Sequence, residues 1–335
     1  MRDIKNKLTS SKNTSNIQNR RGKSFGYQVL GFGAGGPSDS FIVASGGNAI
    51  VESGDYKTHI FTGPGTFTVS EVASDTANDV VDYLIVAGGA GTYRGLAGGG
   101  GAGGWRSFSS GPGSVHPLNA PAGITVTAQG YPIAVGGGGD PGPGGAAGGA
   151  TNGVNTVALG LTSAGGGVGG ASGNSPSGDA PGQPGGCGGG GDYNSGNLSG
   201  GSGNVPPVSP AQGTDGANGR NSPYYPGGGG GGGLTAPNPG DTNSNGGAGA
   251  YVSDEFIGPT SPSYGVDGAP ISYPNTRFFA GGGGGSQTPN NGSPLGGHGG
   301  GGNMDSSGTA NTGGGGGGAS GAGGSGIVMI RYRFQ

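Results

Sequence analysis

The sequence is short of most of what a conventional globular domain is built from. Of its 335 residues, 29% are hydrophobic, 9% charged and 7% aromatic. Its one cysteine, Cys187, excludes an intrachain disulfide. No apolar run is long enough to span a bilayer. The N-terminus has no apolar stretch of signal-peptide type, so the expectation is release by lysis or assembly rather than through a cleaved signal. Apolar side chains are too sparse for one conventional core along the whole length. A large scaffold with these shortages has to be held by hydrogen bonds or by oligomerisation.

In their place stand 94 glycines and 24 prolines. The glycines come in runs, Gly227–Gly233, Gly281–Gly285 and Gly313–Gly318 among them, rather than at every third position, which excludes collagen. Composition alone points to low-complexity disorder. Disordered segments are usually rich in charge, however. Between Gly136 and Ser320 the only basic residues are Arg220 and Arg277, with nine acidic ones, while Tyr, Phe, Leu and Ile recur between the runs. That pattern favours a packed array with decorated loops.

Charge is polarised. Arg2, Lys5, Lys7, Lys12, Arg20, Arg21 and Lys23 stand against Asp3 alone in residues 1–24, although the whole chain carries −3. Residues 1–24 read as a basic polar arm, of a kind that can touch nucleic acid or an acidic protein surface, or remain a solvated terminus. No specific nucleic-acid binding is expected. Residues 25–47 read as a docking segment and hinge, with Arg20, Arg21, Phe25, Tyr27, Leu30 and Phe32 as candidate docking residues.

From 48 to 137 the pattern is of strands. "YKTHIFTG" (56–63) and "GTFTVSEV" (65–72) alternate, and the Gly63-Pro64-Gly65 break between them signals a hairpin. "VVDYLIVAGG" (80–89) is a continuous apolar run, the mark of a strand buried on both faces. "GITVTA" (123–128) and "YPIAVGGGG" (131–139) supply two more. A glycine-rich array with loops is expected over 138–325. The closing strand, 326–335, is expected to pair with 80–87 in one sheet. The fold class is mainly β plus irregular structure: short-stranded sheets flanking a polyglycine-II helix bundle, with almost no α-helix.

Glycine loses more freedom on folding than any other residue, so seven in a row needs a reason. An extended threefold helix rises about 3.1 Å per residue and makes no internal hydrogen bonds. Each of its N–H and C=O groups therefore needs a partner outside the helix. Bundled helices supply those partners, and any Cβ would occupy the space between them.

Motifs of chemistry are weak. Gly31, Gly33 and Gly36 match G-x-G-x-x-G after "YQVL", but "PSDSFIVAS" follows where the dinucleotide fingerprint needs a helix. "GKS" at 22–24 has Ile17 where a phosphate loop needs glycine. His59, His116 and His298 lie far apart and read as surface or strand-face residues, so no metal site is expected. Asp254-Glu255 reads as a solvated acidic turn. No catalytic constellation and no cofactor are expected. The candidates for recognition are aromatics between the runs: Tyr224, Tyr225, Tyr251, Phe256, Tyr264, Tyr273, Phe278 and Phe279. Such rings supply contact area at low entropic cost. The alternative is that they plug the ends of the array or pack on a neighbouring subunit.

"DYKTHIFTGPGTFTV" (55–69), "VDYLIVAGGAG" (81–91), "GGGGAGGWRSF" (98–108) and "GGSGIVMIRYRF" (323–334) together resemble the glycine-rich virion proteins of tailed bacteriophages, notably marine ones. "GYQVLGFGAGG" (26–36) is similar to an N-terminal segment of such proteins. The resemblance implies a non-enzymatic virion component, assembled in the host cytoplasm. It would be a tail-associated adhesin with a polyglycine-II bundle at a fibre tip, whose loops meet a host surface glycan or outer-membrane protein. Its N-terminal segment would join other virion proteins, and the protein would be a homo-oligomer. The alternative is a capsid decoration or tail-assembly protein without a receptor role. The basic arm and the long Pro-rich loops depart from the pattern.

Overall fold

The computed structural model describes residues 40–142, 149–171, 180–193, 199–220, 225–237, 244–287 and 293–335. The virion-docking candidates Arg20, Arg21, Phe25, Tyr27, Leu30 and Phe32, and the recognition candidate Tyr224, lie outside these residues.

The chain is mainly β. A central sheet is ordered β2 (Ala49–Ser53), β3 (Tyr56–Phe61), β14 (Ile327–Arg333), β5 (Val80–Val86) and β6 (Trp105–Phe108), with β7 (Ile124–Thr125) also on β5. β14 lies antiparallel between β3 and β5, with Ile327 opposite Val86 and Arg331 opposite Asp82. This sheet is covered on both faces, which is why β5 and β14 carry apolar residues at successive positions, broken by the charged Asp82, Arg331 and Arg333. Leu84, Val86, Ile327 and Met329 point to one cluster, and Val81, Tyr83, Ile85, Val328, Ile330 and Tyr332 to the other. The alternation is the two-residue period of a strand.

A second sheet, β1 (Val43–Ser45), β4 (Gly65–Glu71) and β8 (Gly130–Ile133), brings Phe67, Val69 and Ile133 onto one face. β9 (Thr156–Ala158) and β10 (Leu161–Ser163) form a hairpin beside it. A third sheet, β11 (Ala250–Ser253), β13 (Thr276–Phe279) and β12 (Val266–Asp267), covers the other face with Ala250, Val252 and Phe279. Phe256 and Ile257 join it from α1 (Asp254–Ile257), a single turn capped by the Ser253 hydroxyl.

Two expectations are corrected here. β3 and β4 are not a hairpin, because β3 pairs with β2 and β14 whereas β4 pairs with β1 and β8. The Gly63-Pro64-Gly65 break carries the chain from one sheet to the next, and β4 thereby lays its buried face, Phe67 and Val69, against one face of the central sheet. The division between a β region at 48–137 and an array at 138–325 is not spatial either. Strands β9 to β13 interrupt the array, and glycine runs within 87–104 join it.

The runs extend the strands. β5 continues into 87–92, 98–104 leads into β6, 244–249 into β11, 280–287 out of β13 and 321–326 into β14. Along 98–104 the amide donors visit three neighbours in strict rotation. Gly98, Gly101 and Gly104 donate to the carbonyls of Gly170, Gly167 and Ala164; Gly99 and Ala102 to Gly227 and Gly230; Gly100 and Gly103 to Gly316 and Gly313. Each series advances by three residues, parallel in one case and antiparallel in two. A period of three shared among three neighbours is the signature of bundled threefold helices. Ala87–Thr92 repeats the pattern. Gly227–Gly233 are all buried. A Cβ on Gly229 would land on the Gly100 carbonyl, and one on Gly230 on the Thr214 carbonyl. Backbone approaches this close leave no room for a side chain, which answers why the runs are glycine.

Candidate functional site

The bundle has two unlike ends. The sheets form one end, and the chain both enters the described region and finishes there. Ser40 exchanges backbone and side-chain bonds with Ser74, and the Phe334 N–H donates to Asp55 at the β2–β3 turn. A cavity of about 310 Å³ opens beside these segments, lined by Phe41, Val43, Lys57, Glu71 and Phe334 among others. The Lys57 ammonium lies 4.6 Å from the Phe334 ring centre.

The far end is where the runs turn back on themselves. Tyr93 and Arg94 stand between 87–92 and 97–104, and Tyr193 closes the run that begins at Cys187. Arg220 and Tyr225 exchange backbone hydrogen bonds of 2.8 and 3.0 Å. One layer below, Gly227 N–H donates to the Gly191 carbonyl at 2.8 Å, and a Cβ on Gly219 would strike the Asp192 carbonyl, so Tyr193, Arg220 and Tyr225 are neighbours. Beside them, Ala97 N–H donates to Ser286 Oγ at 2.6 Å, and Ser286 N–H returns to the Ala97 carbonyl at 2.9 Å. Arg94 and Arg220 are exposed, and Tyr93, Tyr193 and Tyr225 half-buried. Lattice bonds just beneath hold their backbones, so the end presents phenol and guanidinium groups on a rigid base.

Of the recognition candidates in the described residues, only Tyr225 lies at this far end. The other six belong to the sheet end. Phe256 and Phe279 are 1% and 0% exposed and face the core, and Phe278 is 4% exposed. Phe256 and Phe279 are therefore not surface recognition residues, because the third sheet needs their rings to cover the central one, and Phe278 is buried instead among the rings of the outer face. Tyr251 and Phe278 pair across β11 and β13 on the outer face, with ring centres 5.3 Å apart. Tyr273, 47% exposed, packs on both at 5.4 and 5.6 Å. His298 closes on Phe278 at 4.9 Å and His116 on Tyr251 at 4.8 Å, and His116 leads inward to Trp105 at 6.2 Å. Tyr264 is partly buried against the core beneath.

His59 lies on a strand face, in β3, as expected, and His298 is half-buried, but His116 is not a surface residue. His116 is buried, its Nδ1 accepts the Leu118 N–H at 3.1 Å, and burial pushes its pKa down to about 4. His59 is wholly buried, with Nδ1 2.7 Å from the Gly46 carbonyl and Nε2 3.1 Å from the Tyr332 hydroxyl. The carbonyl can only accept, so Nδ1 carries the proton and the phenol donates to Nε2. Burial lowers the His59 pKa and raises that of Tyr332 to about 12. These groups stay neutral and serve packing. Asp254 and Glu255 open α1 instead of a loose turn, and Asp254 pairs with Arg277 at 3.1 Å. Among the described residues no group of three His, Cys, Asp or Glu side chains is placed to hold a metal. No helix among them is long and apolar enough to cross a membrane.

Sequence reasoning passed over Tyr93, Arg94, Tyr193 and Arg220 as recognition candidates. A usable signal was present, since Tyr93 and Tyr193 each stand where a glycine run stops, in "GGAGTYRG" and "GGGGDYNSG". Residues 61–333 match the family described as a glycine-rich domain. That is most of the chain, and the chain belongs to this family. No curated protein matches the sequence.

Proposed function

We propose that this member of the glycine-rich domain family is a non-enzymatic virion protein, a tail-associated adhesin or fibre component of a tailed bacteriophage. Its sheet end attaches to the particle and its far end meets the host surface. The observation that carries the reading is polarity. Both ends of the described chain lie at the sheets, opposite the turns, and in sequence the basic arm precedes them. The runs between are too tightly bonded to one another to discriminate partners, having almost no side chains. Recognition of a host glycan or outer-membrane protein then falls to the turns, through Tyr93, Arg94, Tyr193, Arg220 and Tyr225. Interface energy usually concentrates in a few Tyr, Trp and Arg residues.

The test uses the fluorescently labelled full chain on cells of the strain that propagates the particle. Arg94→Ala with Tyr225→Ala is expected to weaken binding about tenfold or more, the loss of roughly 1.4 kcal/mol, with the melting temperature unchanged. Tyr251→Ala with Tyr273→Ala is expected to lower the melting temperature and to spare binding below it. Wild-type binding by the far-end variant would overturn the assignment of the recognition end.

A further inference from the structure

A lattice of threefold helices has the same weakness as an open sheet. Its outermost members still direct one series of N–H groups outward, ready to take another strand. Among the described residues, two segments of like sequence close such a series with a pair of side chains. In the segment Thr151-Asn152-Gly153-Val154-Asn155, Gly153 N–H donates to the Gly166 carbonyl at 3.0 Å, making 149–155 and 164–168 neighbours. Asn152 Oδ1 then accepts the Val168 N–H at 2.9 Å, and Asn155 Oδ1 accepts the Gly165 N–H at 2.9 Å. In Thr214-Asp215-Gly216-Ala217-Asn218 the arrangement recurs. Gly216 N–H donates to the Gly201 carbonyl at 2.9 Å, Asp215 Oδ1 accepts the Gly203 N–H at 2.7 Å, and Asn218 Oδ1 accepts the Gly200 N–H at 3.0 Å.

The two segments share the pattern T-[N/D]-G-x-N, and their register is the same. Counted from the backbone bond, the first side chain reaches two residues forward on the neighbour and the second one residue back. The capped donors are three apart in both cases, so they lie on one face of a threefold helix. All four capping residues are exposed. Inside the bundle the corresponding donors meet backbone carbonyls of a further run. At these faces a carboxamide or carboxylate oxygen stands where that run's carbonyl would be.

We propose that these two segments close lateral faces of the bundle against a glycine run of a second copy of this chain. The faces are interaction surfaces of the polyglycine lattice, and Asn152, Asn155, Asp215 and Asn218 keep them shut. Lateral growth of the array is thereby blocked, and contacts between copies are left to other surfaces. The inference is independent of the recognition role.

Sedimentation velocity over a concentration series, on the full chain, tests it. D215G/N218G and N152G/N155G are expected to associate with rising concentration beyond the wild type, the weight-average sedimentation coefficient reaching at least that of the next larger assembly. D215N, which keeps an acceptor oxygen, and V154G, on the same run without a capping bond, are expected to match the wild type. Hydrogen exchange at Gly200 and Gly203 should quicken in dilute D215G/N218G and slow again as it associates. Faster exchange at these amides with no added association would overturn the proposal, as would equal association of V154G. Should a double variant fail to fold, D215A frees the Gly203 donor alone, and D215A matching the wild type at every concentration would overturn the proposal equally.

Discussion

Arg331 on β14 and Asp82 on β5 face each other across the central sheet as a buried ion pair, with Nη2 2.6 Å and Nε 3.1 Å from the same carboxylate oxygen. The guanidinium is 0% exposed. It lies between the rings of Tyr56 and Phe256, 4.7 and 4.6 Å from their centres, and it also bonds the Ser109 hydroxyl and the Glu255 carbonyl. The other oxygen of Asp82 accepts from the N–H and hydroxyl of Ser110. Every polar atom of the pair is thus held from several elements at once, and the pair locks β14 onto β5 in one register.

Arg331→Met is therefore expected to destabilise by about 3–5 kcal/mol, because it leaves the Asp82 carboxylate buried without its partner. Arg331→Met together with Asp82→Leu should recover much of that loss, since it removes both charges. Urea denaturation of the three proteins checks this. A double variant as unstable as Arg331→Met would mean that the ring and hydroxyl contacts matter more than the charge pairing.

Gly229→Ala should cost about 1–3 kcal/mol, since its Cβ meets the Gly100 carbonyl and the lattice cannot part locally. Gly137→Ala is the comparison. Nothing lies within 4 Å of a Cβ there, so the change should be neutral or stabilising by up to about 1 kcal/mol, through restriction of the unfolded chain. Thermal melts of the two variants should shift in unlike directions. Equal shifts would argue against close packing of the runs.

His116 makes the fold acid-sensitive. Its folded pKa of about 4 lies below the ordinary value of 6.5, so the unfolded chain takes up the proton first as pH falls. Its contribution is full above about pH 6.5 and is lost as pH drops towards 4, up to about 3 kcal/mol. The lowered His59 acts in the same direction. The difference in unfolding free energy between wild type and His116→Asn should shrink across this interval. A difference constant with pH would show that His116 titrates alike in both states.

The mainly β class, the two-sided burial of β5 and β14, and the reason for unbroken glycine were all legible in the residues. Each rests on a local rule: an apolar run of strand length, a period of two, and a backbone that only the absence of Cβ allows to approach. The aromatic residues were not legible in the same way. Tyr225 and Tyr251 look alike in sequence, each beside a glycine run, yet one lies at the far end and the other on the outer face of the third sheet. Phe256 and Phe279 look like loop aromatics and are core. Local sequence carries no mark of which way a run travels, because a threefold glycine helix bonds equally well to parallel and antiparallel neighbours. Direction is decided by the strands that the runs connect. The sequence by itself determined the kinds of element and the need for a lattice. Only the tertiary structure decided which turns share an end, which rings are buried, and that Asn152, Asn155, Asp215 and Asn218 finish the lattice at its edges, because each depends on bonds between segments far apart in the chain.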